Sequence, residues 1–142
     1  MSALTVLVAE DDAVTRLDVC CILERAGYRV GGEARDGRDA VARALELHPD
    51  VVVLDVGLPR VDGVEAARQI LAQSAIPIVL LTGYGYGELV AAALEVGVSA
   101  FVAKPFQEHE LLAAIRAALE RPGNGVALSY LQLANARAGR SE

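Results

Sequence analysis

The chain has 142 residues, of which 54% are apolar and 23% charged, and its formal net charge is −6. That length and composition bury one core, are too short for two ordinary domains and exclude a disordered chain. No basic cluster is present to neutralise phosphates, which excludes a nucleic-acid or anionic-lipid surface. Met1 leads into a short apolar run and then acids. A secretory leader or a span of roughly 20 apolar residues would read differently, so no membrane association and a cytoplasmic location are expected.

The first apolar run, Leu4 to Ala9, ends in Glu10-Asp11-Asp12. Asp12 is placed to cap a helix over Ala13 to Ala26, which Gly27 stops. Cys20 and Cys21 are neighbours in that helix, about 100° apart around its axis, so they cannot bridge each other and read as reduced thiols in or near the core. A weaker run, Tyr28 to Ala34, precedes a helix from Arg38 to His48, opened by Asp36-Gly37 and ended by Pro49. His48 falls at its C-terminal end, where a cation suits the helix dipole. Val51-Val52-Val53-Leu54 is apolar at every position, as a central parallel strand covered on both faces requires. A helix over Val64 to Gln73 follows Asp62-Gly63, and the next run is Ile76 to Leu81. The glycine-rich stretch Thr82 to Gly87 leads to a helix over Glu88 to Val96, stopped by Gly97. Ala100 to Ala103 runs into Lys104-Pro105, and a last helix spans Glu108 to Arg121 with Leu111, Leu112, Ile115 and Leu119 as its buried stripe. Residues 1–121 are expected to form the domain, and 122–142 a weakly helical or disordered tail with no output domain. Whether the chain stands alone or is the front of a longer regulator is left open.

Five strand-then-helix units predict an α/β fold, an open parallel sheet with helices on both faces. In such sheets the working crevice lies beyond the carboxyl ends of the strands. Those ends bring Glu10-Asp11-Asp12, Asp55, Thr82 and Lys104 to one edge. Crowded carboxylates need a cation, and hard oxygen ligands with room for a phosphate select Mg²⁺. Asp55 can accept a phosphoryl group as an acyl phosphate, with Mg²⁺, Lys104 and the Thr82 hydroxyl each taking one phosphoryl oxygen. Lys104 is the single lysine beside twelve arginines, and a compact ammonium fits one crowded oxygen better than a planar fork does.

The stretches "VLVAEDD", "VVVLDVGLPRVDG", "IPIVLLTGYG" and "EVGVSAFVAKPF" together make the chain resemble the receiver domain of two-component response regulators, over roughly residues 4–121. The resemblance implies a flavodoxin-like, doubly wound (βα)5 sheet in the order 2-1-3-4-5. It also implies that Asp55 takes phosphate from the phosphohistidine of a histidine kinase or histidine phosphotransfer protein, with Mg²⁺. Thr82 is then the switch hydroxyl, Lys104 the phosphate-binding cation and Phe101 the switch aromatic. The acidic pair falls on Glu10 and Asp11 rather than Asp11 and Asp12, with Asp11 binding the metal directly and Glu10 through water. The Gly57 carbonyl is the remaining protein ligand. Gly57 itself leaves the mouth open to water, and Tyr84 is bulky enough to restore cover. Output is expected on the face made by the fourth helix, fifth strand and fifth helix, with Leu89, Val90, Val96 and Phe106 at its apolar edges. A downstream protein or a second copy would dock there. An aspartate-nucleophile phosphatase would need an acid where Gly57 stands, a flavin site would meet repulsion from "AEDDAV", and a receiver-like module that never takes phosphate would have no use for the intact set of Asp11, Asp55, Thr82 and Lys104. No enzymatic turnover beyond self-phosphorylation and slow self-dephosphorylation is expected. The Lys104–Pro105 bond is expected to be cis.

Overall fold

Three aspartates fix where helices begin. The Asp12 carboxylate accepts from the Thr15 N–H at 2.9 Å and from the Thr15 hydroxyl at 2.6 Å. Asp36 accepts from the Asp39 N–H at 2.8 Å, and Asp62 from the Glu65 N–H at 2.9 Å. Each satisfies an N–H that has no partner inside its own helix. In the computed structural model, which describes residues 3–83 and 87–120, these helices belong to a strict alternation. The order is β1 (Thr5–Ala9), α1 (Ala13–Arg25), β2 (Arg29–Ala34), α2 (Gly37–Leu47), β3 (Val51–Asp55), α3 (Gly63–Leu71), β4 (Ile78–Thr82), α4 (Gly87–Val96), β5 (Ala100–Ala103) and α5 (Glu108–Glu120). Gly27 and Gly97 follow α1 and α4 with φ of 95° and 97°, a left-handed conformation that a side chain would oppose. Tyr84 and the tail lie outside the described residues, as does Arg121.

The strands form one parallel sheet in the order β2-β1-β3-β4-β5, as expected. β3 and β4 end in Asp55 and Thr82, as the sequence reading has them, so both polar residues sit on the ladder. One boundary differs: β4 begins two residues late, because Pro77 has no N–H for the ladder, although its carbonyl still accepts from the Val52 N–H at 2.9 Å.

The sheet divides the core into two layers. Val6, Val8, Val51, Val53, Val79, Leu81, Ala100 and Val102 pack with Val19, Ile22 and Leu23 of α1 and with Leu111, Ile115 and Ala118 of α5. Their neighbours Leu7, Ala9, Val52, Leu54, Ile78, Leu80 and Phe101 pack on the opposite side with residues of α2, α3 and α4. This explains the unbroken apolar run in β3: alternate residues serve different layers, and both layers are dry. The two cysteines are free, Cys20 buried and Cys21 exposed. Burial first, then the Glu33 and Glu24 charges, push the Cys20 thiol up to about 11, so it stays protonated at neutral pH.

One close approach ties the fold to its upper edge. A Cβ on Gly63 would lie 2.3 Å from the Asp55 carbonyl oxygen and 2.6 Å from the Val56 Cα, both backbone atoms that cannot turn aside. The Gly63 N–H also donates to the Val56 carbonyl at 2.9 Å, so the start of α3 lies directly against the end of β3. Gly63→Ala is expected to cost about 1–3 kcal/mol or more, as overpacking does, measured by urea unfolding against a Gly→Ala change at the exposed Gly31.

Candidate functional site

The layering decides which polar residues meet. Glu10 continues the alternation Val6, Val8; Asp55 continues Val51, Val53; and Lys104 continues Ala100, Val102. All three emerge at the carboxyl edge on the layer of α1 and α5. The Lys104 Nζ lies 2.5 Å from Glu10 Oε1 and 3.2 Å from Asp55 Oδ1. Glu10, Asp11 and Asp55 each offer a carboxylate oxygen within 4.8 Å of the others. Asp12 points to its cap instead, which supports the Glu10–Asp11 pair over Asp11–Asp12. Thr82 continues Ile78, Leu80 and so belongs with the opposite layer, as does Phe101.

Glu10 is the most constrained of these residues. It is 1% exposed, and every polar atom it owns is engaged. Its N–H donates to the Ala34 carbonyl at 3.0 Å, and its carbonyl accepts from Arg16 Nη1 at 2.8 Å. Oε1 accepts from Lys104 and Oε2 from the Asp12 N–H at 3.2 Å. Asp55 and Thr82 are also buried, whereas Asp11 is exposed. Gly57 stands in the turn two residues beyond Asp55, and the Lys104 N–H donates to the Thr82 carbonyl at 2.7 Å, joining β5 to the end of β4. The Lys104–Pro105 bond is cis.

Charge follows this geometry. Burial works against the Lys104 ammonium, but the hydrogen bond to Glu10 and the Asp55 and Glu10 charges outweigh it and hold its pKa above the usual lysine value. Burial of its carboxyl, then the hydrogen bond and charge of Glu10, lift Asp11 above the ordinary carboxylate range. The hydrogen bonds from Thr15 hold Asp12 below that range.

Two features of the site escape the sequence reading. Arg16 connects it to β2 through a contact with Glu33 Oε1 at 3.1 Å. Its charge looks ordinary in sequence, and only the fold shows where its fork ends. The second is on α1, where Val14 is 77% and Leu17 65% exposed, the largest exposures among the described large apolar side chains. Val14, Thr15, Asp18, Gly83, Lys104, Pro105 and Phe106 line a groove of about 530 Å³ that runs past the ammonium. By contrast, Leu89, Val90 and Val96 are already half-buried against one core layer and Phe106 against the other, so the α4–β5–α5 face is less open at its edges than its sequence suggests.

A model of the response regulator receiver domain matches residues 6–116. The chain belongs to the receiver domain family. The transcriptional regulatory protein PdtaR of Mycobacterium tuberculosis is 44% identical over 117 residues, which cover 82% of this chain and 57% of PdtaR. The chemotaxis protein CheY of Thermotoga maritima is 34% identical over 111 residues, 78% of this chain and 92% of CheY. Among solved structures, a LuxR-family two-component response regulator from an Aurantimonas species superposes with a TM-score of 0.82 at 30% identity, covering 96% of this chain and 99% of that one. The chain therefore spans little more than half the length of PdtaR and nearly all of CheY. Receiver domains are phosphoacceptor modules of two-component signalling that typically bind Mg²⁺, and the hard oxygen donors of Glu10, Asp11 and Asp55 fit that ion. Among the described residues no helix is long and apolar enough to cross a membrane.

Because Asp11 carries a raised pKa, its ionisation opposes folding. The penalty is absent in strong acid, grows as pH rises through the ordinary carboxylate value near 3.8, and is complete above the raised one. Asp11→Asn is therefore expected to raise the unfolding free energy at pH 7 in EDTA, by no more than about 1 kcal/mol given its solvent exposure, and the Tm with it. That gain should vanish below about pH 3.5, which thermal unfolding across pH measures directly.

Proposed function

We propose that Asp55 takes a phosphoryl group from a histidine kinase or histidine phosphotransfer protein and that the modified chain then controls a partner. The observation that carries this reading is the buried Asp55 carboxylate lying 3.2 Å from the only lysine ammonium, within one cluster with Glu10 and Asp11. An Asp55 oxygen attacks the phosphorus of the donor's phosphoimidazole, the P–N bond breaks, and the ring leaves with the electron pair. Asp11 and Asp55, the Gly57 carbonyl and, through water, Glu10 would hold Mg²⁺, which neutralises phosphoryl charge when bound. Both Glu10 oxygens already accept hydrogen bonds, which favours its indirect role, whereas the exposure of Asp11 favours direct binding.

Lys104 is shared between Glu10 and Asp55, so a small movement of its flexible stem delivers the ammonium to a phosphoryl oxygen. Thr82 ends the neighbouring strand, and its hydroxyl supplies a further contact made only after phosphorylation. Phe101, paired to Leu80 across β4 and β5, reports that movement to α4, and Tyr84 is the second switch aromatic. The donor docks over α1 and the groove beside Lys104, where Val14 and Leu17 offer apolar surface. Output uses the α4–β5–α5 face, docking a downstream protein or a second copy. Residues 1–121 form the receiver and 122–142 a tail. The chain works in the cytoplasm, binds no nucleic acid or membrane itself, and has no turnover beyond its own phosphorylation and slow dephosphorylation.

Asp55→Asn should abolish Mg²⁺-dependent labelling by acetyl phosphate, followed as a mass increase of intact protein; undiminished labelling of that variant would remove the central claim. Light scattering with and without beryllofluoride and Mg²⁺ separates the two outputs. A shift to dimer points to self-association through the α4–β5–α5 face, and an unchanged mass favours a different protein as the partner.

A further inference from the structure

We infer that Arg16 is a positioning residue for the metal side of the site, setting Mg²⁺ affinity by holding the backbone that presents Glu10 and Asp11. The inference rests on the reading of those two acids as the metal side. Arg16 stands in the first turn of α1, the end of a helix where a cation is disfavoured by the dipole. Its side chain is nevertheless only 11% exposed. Two separate nitrogens of the guanidinium are used: Nη1 donates to the Glu10 carbonyl at 2.8 Å, and Nε donates to Glu33 Oε1 at 3.1 Å. One planar fork therefore joins the turn after β1 to the end of β2. The Glu10 N–H donates to the Ala34 carbonyl, so the peptide groups on both sides of Glu10 are tied to the β2 end. Asp11 follows immediately and is exposed, with its carboxyl hydrogen-bonded to that of Glu10. Its direction then depends on Glu10, whose peptide groups Arg16 and the Ala34 carbonyl hold in place.

Charge and positioning predict opposite signs. Removing a cation beside a carboxylate cluster tightens Mg²⁺ binding if Arg16 acts only through its charge. Loss of an outer contact that orients a ligand weakens metal binding, typically by about 10-fold or more. Lysine keeps the charge but cannot span a carbonyl and a carboxylate with one ammonium. The test is Mg²⁺ titration of the full chain by calorimetry and by amide chemical shifts, for the wild type, Arg16→Met and Arg16→Lys, with urea unfolding in EDTA as the control for folding. Both variants are expected to bind Mg²⁺ about 10-fold more weakly, with the loss remaining after correction for any change in stability. Unchanged or tighter binding by Arg16→Met overturns the inference, as does wild-type affinity in Arg16→Lys. A wild type that binds no Mg²⁺ overturns the metal reading of Glu10 and Asp11 together with this one, whereas normal wild-type binding with unaffected variants overturns this one alone.

Discussion

Alternation along a buried parallel strand leaves little choice about where its next residue points. In β1, β3 and β5 the residues facing α1 and α5 are valines and an alanine, and two places further on stand Glu10, Asp55 and Lys104. The convergence of a cation and two carboxylates is thus a product of strand parity and register before any contact is formed. Register does the rest: Val8 pairs with Val53, which sets Glu10 level with Asp55 at the top of adjacent strands. The same rule separates Thr82 and Phe101 from that group and assigns them to the layer of α2, α3 and α4.

Grouping carboxylates in a buried crevice is unfavourable, and the structure shows what offsets it. Glu10 is almost wholly removed from water, and its two oxygens are satisfied by an ammonium and a backbone N–H. Removing one partner from a fully buried pair costs about 3–5 kcal/mol. Lys104 is partly exposed and the cost here is smaller, yet Lys104 still supports the ground state as well as the proposed chemistry. The raised Lys104 pKa and the raised Asp11 pKa are two sides of this balance, one from attraction that is met and the other from burial and repulsion that is not. A divalent cation bound at this edge would relieve the second without disturbing the first.

Much of this was legible in the residues themselves. The five units, the cap at Asp12, the helix openings at Asp36-Gly37 and Asp62-Gly63, and the glycine stops follow from local rules that tertiary context does not override, while the strand order came with the family resemblance. The gathering of Glu10, Asp11, Asp55 and Lys104 was legible too, because strand ends of a parallel sheet share an edge. Long-range side-chain geometry was not. Arg16 reads as one more surface arginine until β2 is known to end beside it, since its Glu33 partner lies 17 residues away. The exposure of Val14 and Leu17 is hidden for a related reason: α1 is apolar on more than one side, and sequence does not say which stripe the sheet takes. The half-burial of Leu89, Val90 and Val96 depends on how α4 leans against its neighbours, which no local pattern records.

The two-layer core has a consequence for traffic around the molecule. The proposed donor surface on α1 lies on one side of the sheet, and the α4 helix lies on the other, packed with Phe101. A visitor seated against Val14 and Leu17 leaves the outer surface of α4 uncovered. The two surfaces still meet at Phe106, which lines the groove beside α1 and edges the output face. A target resting on α4 alone can therefore wait during the transfer, whereas one that reaches Phe106 must take turns with the donor.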